Sequence, residues 1–145
     1  MEIGELCSRE VYIVRPNEPL ADAVREMFRR HVGAVVVVEP HGNLVFPVGI
    51  VTDRDVLRGQ MARQCDLFNL TVQDVMTAEP LTLSETSGLA EGISQLRARG
   101  VRRAPVVADT GDLVGIVSID DLLPAVGEEL GLLAKLIGRQ AHREA

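Results

Sequence analysis

The 145-residue chain carries one nine-residue pattern twice, and this duplication limits the folds it can adopt. The first copy is GIVTDRDVL at Gly49–Leu57 and the second is GIVSIDDLL at Gly115–Leu123. In each copy a short apolar run is followed by a hydroxyl residue, then by an Asp three positions later and by more apolar residues. This order predicts a strand that runs into the capped N-terminus of a helix.

The duplication extends well beyond this pattern. An offset of 69 residues pairs Leu20 with Leu89 and continues through the following segment. From Gly49, which pairs with Gly115, the offset is 66, so the first copy has three extra residues around 46–48. Such self-similarity indicates two homologous units. We place the first unit at residues 3–65, the second at 72–128 and a C-terminal helical extension at 129–145.

Each unit has the pattern of a β-α-β-β-α fold. Apolar residues at helical spacing follow Leu20 and Leu89, and a β-branched run at 34–38 predicts a strand covered on both faces. A unit of ~60 residues buries too little surface to be stable alone. We therefore expect an α+β fold in which two units pack through their sheets with pseudo-twofold symmetry, plus a C-terminal helix. The symmetry predicts two equivalent clefts, here called the Thr52 cleft (with Asp55) and the Ser118 cleft (with Asp121).

Each motif taken alone can be interpreted as a purely structural helix cap, without a functional role. Ser or Thr followed three residues later by an acidic residue, ahead of an apolar run, is the pattern of a helix-capping box. A single copy would need no other explanation. The repetition of the whole surrounding unit favours a further role for both motifs.

Composition narrows the function classes. The formal net charge of −6 argues against general binding to nucleic acids or to anionic membranes. No segment approaches the ~18 apolar residues of a membrane span, and the first residues do not have the pattern of a signal peptide. Cys7 and Cys65 lack the spacing of a zinc site. We expect a soluble, cytoplasmic protein with no metal site and no required cofactor.

The sequence shows no catalytic constellation. It contains neither a P-loop nor a G-x-G-x-x-G motif. Asp120 and Asp121 are adjacent, and adjacent positions on a helix point apart, so they do not form a carboxylate pair. We expect a protein that is not an enzyme.

Four short motifs occur together and in a fixed order: GIVTDRD at 49–55, VMT at 75–77, VRRAPVV at 101–107 and GIVSIDD at 115–121. In this combination the chain resembles the cystathionine-β-synthase (CBS) domain in its tandem form, the Bateman module, as in stand-alone CBS-domain proteins. The resemblance covers nearly the whole chain.

The resemblance implies a regulatory module that binds an adenosine-containing ligand such as AMP, ADP, ATP or S-adenosylmethionine. In such modules the motif Asp accepts hydrogen bonds from ribose hydroxyls, and the Ser or Thr contacts ribose or phosphate. This implies Asp55 with Thr52, and Asp121 with Ser118. The implied adenine pockets are Thr77, Pro80, Leu81 and Val101 for the Thr52 cleft, and Ser8, Val11, Tyr12 and Gly33 for the Ser118 cleft.

Basic residues are distributed unevenly between the two units. Arg54 has Ile119 as its counterpart, and the pair Arg102–Arg103 aligns with Gly33–Ala34. Phosphate binding needs cations, and Arg is suited to it. We therefore expect the Thr52 cleft, with Arg54 inside and Arg103 facing it, to be the stronger phosphate site and Asp55 to matter more than Asp121. The alternative is that the arginine run is only a solvated surface.

The C-terminal stretch 120–143 has apolar residues at helical spacing, and Pro124 fits only in the first turn of such a helix. A face this apolar must be covered, either by the protein's own sheet or by a second copy. The resemblance implies a disc-like homodimer, which we expect here, and signalling to an unidentified partner protein. The alternative function is a ligand-independent dimerisation scaffold with degenerate clefts.

Overall fold

The computed structural model describes residues 1–64 and 66–144, with side chains up to residue 139. Cys65, where we ended the first unit, and Ala145 lie outside the described residues. The first unit contains α1 (Ile3–Leu6), β1 (Ile13–Val14), α2 (Leu20–Arg30), β2 (Ala34–His41), β3 (Leu44–Thr52) and α3 (Asp53–Arg63). After a 3-10 turn at Leu67–Asn69, the second unit contains α4 (Val72–Val75), β4 (Thr77–Ala78), β5 (Leu83–Ser84), α5 (Leu89–Arg99), β6 (Arg103–Val107), β7 (Leu113–Ser118) and α6 (Ile119–Glu144). The predicted α+β class with a repeated β-α-β-β-α order is confirmed.

The strands form two sheets, and the second unit contributes to the first unit's sheet. One sheet has the order β1-β2-β3-β4 and the other β5-β6-β7. In both, the first strand pairs in parallel and the hairpin that follows is antiparallel. β4, from the segment that leads into the second unit, pairs with β3 of the first unit through Ile50 and Thr77. In return, Ser8 and Ile116 exchange two backbone hydrogen bonds of 2.9 Å. The leading segments are therefore swapped between the units.

The two hydrophobic cores interlock in the same way. Ile3 of α1 is fully buried in the core of the second unit, beside Leu83 and Leu89. Val72 of α4 is fully buried in the core of the first unit, beside Leu20. Each core thus depends on a residue of the other unit, which explains how two small units stabilise one another.

The three extra residues of the first hairpin lie next to the second hairpin. The backbone N–H of Val45 donates to the Asp112 carboxylate at 2.8 Å. The Phe46 ring stacks on His41 at 4.7 Å between centroids and also lies over Gly111. Gly111 has φ +90°, a conformation that favours glycine, and a Cβ there would be 3.3 Å from the ring. The pseudo-twofold symmetry is therefore broken at the hairpins.

The helix α6 starts where the capping motif predicts, but Pro124 does not lie in its first turn as we expected. It starts at Ile119, so Pro124 lies in the second turn, inside the helix. Because Pro has no N–H, the carbonyl of Asp120 loses its helical partner at this point. The helix continues past the second unit without a break, and its apolar residues there are 56–66% exposed: Leu130, Leu132, Leu133, Leu136 and Ile137.

None of the helices in the described part of the chain combines the length and the apolar character needed to cross a membrane.

Candidate functional site

Both repeated motifs cap a helix: the one at α3 forms the full capping box, and the one at α6 forms its Asp-to-backbone half. At α3, the Thr52 backbone N–H donates to Asp55 Oδ2 at 2.9 Å, and the Asp55 N–H donates to Thr52 Oγ1 at 3.2 Å. At α6, the Ser118 N–H donates to Asp121 Oδ2 at 2.9 Å, and the Ser118 hydroxyl donates to the same oxygen at 3.3 Å. Each cap uses Oδ2 and leaves Oδ1 directed elsewhere, so capping does not exhaust either carboxylate.

The Ser118 cleft is an open cavity of about 320 Å³ between the units. This volume is near the lower limit of small-molecule sites. Its walls come from the leading segment and the β2 turn of the first unit and from β6, β7 and α6 of the second. It brings together all six residues that the sequence analysis assigned to it: Ser8, Val11, Tyr12, Gly33, Ser118 and Asp121.

The free oxygen of Asp121 distinguishes this cleft. Among the described residues, all hydrogen bonds to the Asp121 carboxylate go to Oδ2, so Oδ1 is free of protein donors. A carboxylate oxygen beside a cavity can accept hydrogen bonds from a bound hydroxyl group, and such charge-assisted bonds are strong.

Arg103 also lies in the Ser118 cleft, and our expectation that it faces the Thr52 cleft was wrong. The cause is strand register: Arg103 is the first residue of β6 and pairs directly with Ser118 of β7. Its half-buried guanidinium reaches towards Gly33, with Nη1 3.4 Å from the point that a Cβ on Gly33 would occupy. The equivalent register position in the first unit, opposite Thr52, is Ala34, which has no charge.

The other two candidate arginines are on the surface. Arg102 is exposed, and its carbonyl accepts a hydrogen bond from Ile119 N–H at 2.9 Å, which fixes the start of α6 beside β6. Arg54 is exposed in the first turn of α3. Arg103 is therefore the candidate arginine that lines the described cavity.

The Thr52 cleft is more closed around its carboxylate. Thr77 Oγ1 donates to Asp55 Oδ1 at 3.5 Å, so both oxygens of Asp55 have protein partners. The remaining predicted adenine contacts are dispersed: Leu81 packs against the second core, Val101 lines an apolar groove between α5 and α6, and Pro80 is half-buried. A ligand hydroxyl would have to share Asp55 Oδ1 with Thr77 or displace it.

Tyr12 lies on the wall of the Ser118 cleft. Its ring contacts Arg30, a residue that the sequence analysis did not identify. The Arg30 guanidinium lies 4.8 Å from the centre of its ring, within the range of a cation–π contact. Arg30 in turn binds Glu26 at 3.1 Å. Burial raises the pKa of Tyr12, and the carboxylates of Glu18 and Glu26 raise it further, so the phenol stays protonated and can donate a hydrogen bond.

Two acidic residues of the Ser118 cleft were also missed. Glu10 and Asp120 line the cavity together with Arg103 and Asp121. Asp120 lies inside the motif, between Ser118 and Asp121, and the sequence analysis considered it only as one half of a carboxylate pair. Glu10 reaches the cavity only because the leading segments are swapped between units, and no local pattern shows this.

Comparison with known proteins now assigns the family. The family model of the CBS domain matches residues 3–62 and again residues 72–128. The chain belongs to the CBS domain family. As a tandem CBS pair, it carries its two copies in the units that form the two interlocked cores.

Relatives of this CBS pair share its fold and part of its sequence. An uncharacterised 17.7 kDa protein of Acidianus ambivalens is 30% identical over 86% of this chain and 73% of its own length. An uncharacterised protein of Methanopyrus kandleri is 28% identical over 85% of this chain, which spans only 61% of that relative. The crystal structure of CBSX2, solved in complex with AMP, is 25% identical with a TM-score of 0.73, over 88% of this chain and 96% of that one.

A metal centre has no basis in the described residues, where no group of three or more His, Cys, Asp or Glu side chains is arranged to hold an ion. Cys7 lies beside Gly115 at the edge of the second core, and burial raises the pKa of its thiol. A raised pKa keeps the thiol protonated and unreactive.

Proposed function

We propose that this CBS pair is a regulatory module that binds an adenosine-containing ligand in the Ser118 cleft. The free Oδ1 of Asp121, on the wall of a cavity shared by both units, is the observation that carries the proposal. The AMP complex of a CBS protein of the same fold supports the ligand class. AMP, ADP, ATP and S-adenosylmethionine are the candidates.

Each wall of the cavity has a role in this proposal. Asp121 Oδ1 accepts hydrogen bonds from the ribose hydroxyls, and Ser118 contacts ribose or phosphate at the N-terminus of α6, where free N–H groups favour an anion. Arg103 binds the phosphate. The adenine lies on the opposite wall, against Ser8, Val11, Tyr12 and Gly33, where an apolar surface and backbone groups can recognise its edge.

The Thr52 cleft is, in this proposal, the weaker of the two sites. Its Asp55 is already bonded to Thr77, and Ala34 stands where the other cleft has Arg103. Arg54 at the helix start is the cation available to it. Our sequence-based preference for this cleft is therefore reversed.

Signalling follows from where the walls originate. The proposed base contacts belong to the first unit, and the ribose and phosphate contacts belong to the second. A bound ligand therefore bridges the units and favours the arrangement in which both walls fit it. Only a ligand with different affinities for two arrangements changes their populations. The regulated partner is a protein that binds one arrangement better than the other.

We further propose that a second copy covers the exposed apolar helices. Along α6, Leu123, Val126, Leu130, Leu133 and Ile137 are separated alternately by three and four residues. This is the heptad spacing of a helix that packs against another helix. Phe28 and Met61, 83% and 80% exposed on α2 and α3, widen the apolar surface.

The dimer is tested by Leu133→Asp, with Lys135→Glu in the same turn as the matched control. We expect light scattering after gel filtration to give a dimer for the wild type and the control, and a monomer for Leu133→Asp. A monomeric wild type, or a dimeric Leu133→Asp, would contradict this part of the proposal.

A ligand-independent scaffold is the second candidate function, because the apolar helices are exposed and the Thr52 cleft is closed around Asp55. A thermal-shift panel with AMP, ADP, ATP and S-adenosylmethionine separates the two candidates. Ligands that bind only the native state raise the melting temperature in a saturable way. We expect such a rise with at least one of them, and a flat panel would favour the scaffold.

A further inference from the structure

The surroundings of Arg103 in the Ser118 cleft are mostly acidic. Glu10, Asp120 and Asp121 line the same cavity, which makes three carboxylates against one guanidinium. A fourth carboxylate lies on the Gly33 side of the cavity: Asp53 Oδ2 is 3.9 Å from the point where a Cβ on Gly33 would lie, and Arg103 Nη1 is 3.4 Å from the same point. A bound anion therefore meets one positive group surrounded by negative ones.

The guanidinium of Arg103 can nevertheless bind one anion. Throughout the described ranges, it forms no ion pair of 4.0 Å or shorter. Asp53 is held in place by its own backbone, whose N–H donates to the Gly33 carbonyl at 3.2 Å. The Asp53 carboxylate therefore stays near Arg103 without neutralising it through a direct contact.

The position of a ligand's 5′ substituent follows from the proposed ribose contact. With the ribose hydroxyls on Asp121, the 5′ carbon lies within one sugar ring of that residue. Asp121 is in the first turn of α6, next to Asp120, and Arg103 pairs with Ser118 at the start of the same turn. The first phosphate can therefore reach Arg103, and the other charged groups on the cavity wall that further phosphates can meet are carboxylates.

We propose that the Ser118 cleft selects adenosyl ligands whose 5′ substituent carries no more charge than a single phosphate, and that Glu10 and Asp120 set this limit. The inference rests on the proposed function and specifies its ligand class. Adenosine, its monophosphate and cationic 5′ substituents are accepted. A triphosphate is disfavoured because its outer phosphates face carboxylates with no cation to balance them.

The size of the effect follows from Coulomb's law. Like charges about 7 Å apart in a water-like dielectric repel enough to change an affinity by about threefold per pair, and by more in a partly desolvated cleft. Glu10 and Asp120 are both exposed, so salt must screen the effect. Selectivity against triphosphate that weakens with ionic strength is therefore the signature of this mechanism.

The test is calorimetric titration of the full chain with adenosine, AMP and ATP, at low and high salt, and with either EDTA or excess Mg²⁺. At low salt we expect ATP to bind at least tenfold more weakly than AMP. The double variant Glu10→Gln/Asp120→Asn should strengthen ATP binding relative to adenosine by about tenfold, as two such pairs require. Glu39→Gln, which removes an exposed carboxylate from the end of β2, is the matched control and should leave the ratio unchanged.

The possible failures are distinguishable. Binding of ATP as tight as that of AMP, in EDTA and at low salt, would overturn the inference and leave the proposed function standing. A double variant with the wild-type ratio of ATP to adenosine affinity would also overturn it. Absence of binding by adenosine, AMP, ADP, ATP and S-adenosylmethionine alike would overturn the proposed function, and the inference with it.

Discussion

The two clefts are built from the same motif, yet they offer a ligand different surfaces. In both, a hydroxyl residue and an Asp cap a helix through Oδ2 of the carboxylate. In the Ser118 cleft, Asp121 lines a cavity together with Arg103, and its other oxygen has no donor among the described residues. In the Thr52 cleft, the other oxygen accepts a hydrogen bond from Thr77. The comparison shows that the repeated motif specifies the helix cap. The neighbouring strand and the leading segment decide what the cleft can bind.

The largest expected effect comes from the two residues that lock the units together. Ile3 precedes the leading segment that lines the Ser118 cleft, and Val72 precedes the one that carries Thr77. We expect Ile3→Ala to lower the free energy of unfolding by about 3 kcal/mol, since truncation of a buried Ile creates a cavity. Val72→Ala should cost about 2 kcal/mol, because it removes two buried methyl groups.

Only the Ile3 change should affect the ligand. Urea unfolding measures the two stabilities, and AMP titration of the folded variants shows which cleft wall has loosened. We expect weaker AMP binding with Ile3→Ala and unchanged binding with Val72→Ala. The reverse pattern would mean that the Thr52 cleft is the occupied one.

The next largest effect concerns Arg103, the arginine that the Ser118 cleft has and the Thr52 cleft lacks. Arg103→Ala should weaken AMP binding by about tenfold, the equivalent of one charge-assisted hydrogen bond of about 1.4 kcal/mol, and leave adenosine binding unchanged. Arg102→Ala is the matched control, because Arg102 is the exposed neighbour outside the cavity. Equal losses in the two variants, measured by calorimetry, would show that the arginines act only through the general surface potential.

The smallest expected effect is a dependence of stability on pH, which comes from Asp74 at the start of α4. The N–H of Thr71 donates to the Asp74 carboxylate at 2.8 Å and holds its pKa below the ordinary value of 3.8. α4 is therefore capped by an ionised group, whereas α1 has no side-chain cap. Because the pKa of Asp74 is lower in the folded state, its contribution to stability is complete above 3.8 and is lost as the pH falls through the folded-state pKa.

Thermal melts at decreasing pH measure this contribution. We expect Asp74→Asn to be less stable than the wild type near neutral pH and to approach it in acid. Asp109→Asn, in the exposed turn of the second hairpin, should run parallel to the wild type. A constant gap between Asp74→Asn and the wild type at all pH values would contradict the assignment.

The fold could be predicted well from the sequence because the pattern of one unit occurs twice in the chain. The offset of 69 residues located α2 and α5 and the hairpin that follows each of them. The capping pattern located the starts of α3 and α6. The hydrophobic periodicity of α2 and α5 and the β-branched run at 34–38 are local signals, and local signals survive in a single sequence.

The clefts were harder to predict because they depend on contacts between distant residues. The cleft that Arg103 enters depends on its register opposite Ser118, and a one-residue shift would turn its side chain to the other face of the sheet. The hydrogen bond from Thr77 to Asp55 and the approach of Glu10 depend on the swapped leading segments. Pro124 was misplaced because α6 starts at Ile119, as the capping pattern indicates, and continues through the Pro in its second turn.

The central claim, that the Ser118 cleft is the principal ligand site, is tested most directly by AMP titration of Asp121→Ala and Asp55→Ala. Each variant removes the carboxylate that caps the start of a helix, so urea unfolding of both separates a loss of stability from a loss of ligand contacts. The account predicts about a hundredfold loss of affinity for Asp121→Ala, the equivalent of two charge-assisted hydrogen bonds, and less than about threefold for Asp55→Ala. Equal losses, or a greater loss for Asp55→Ala, would contradict it.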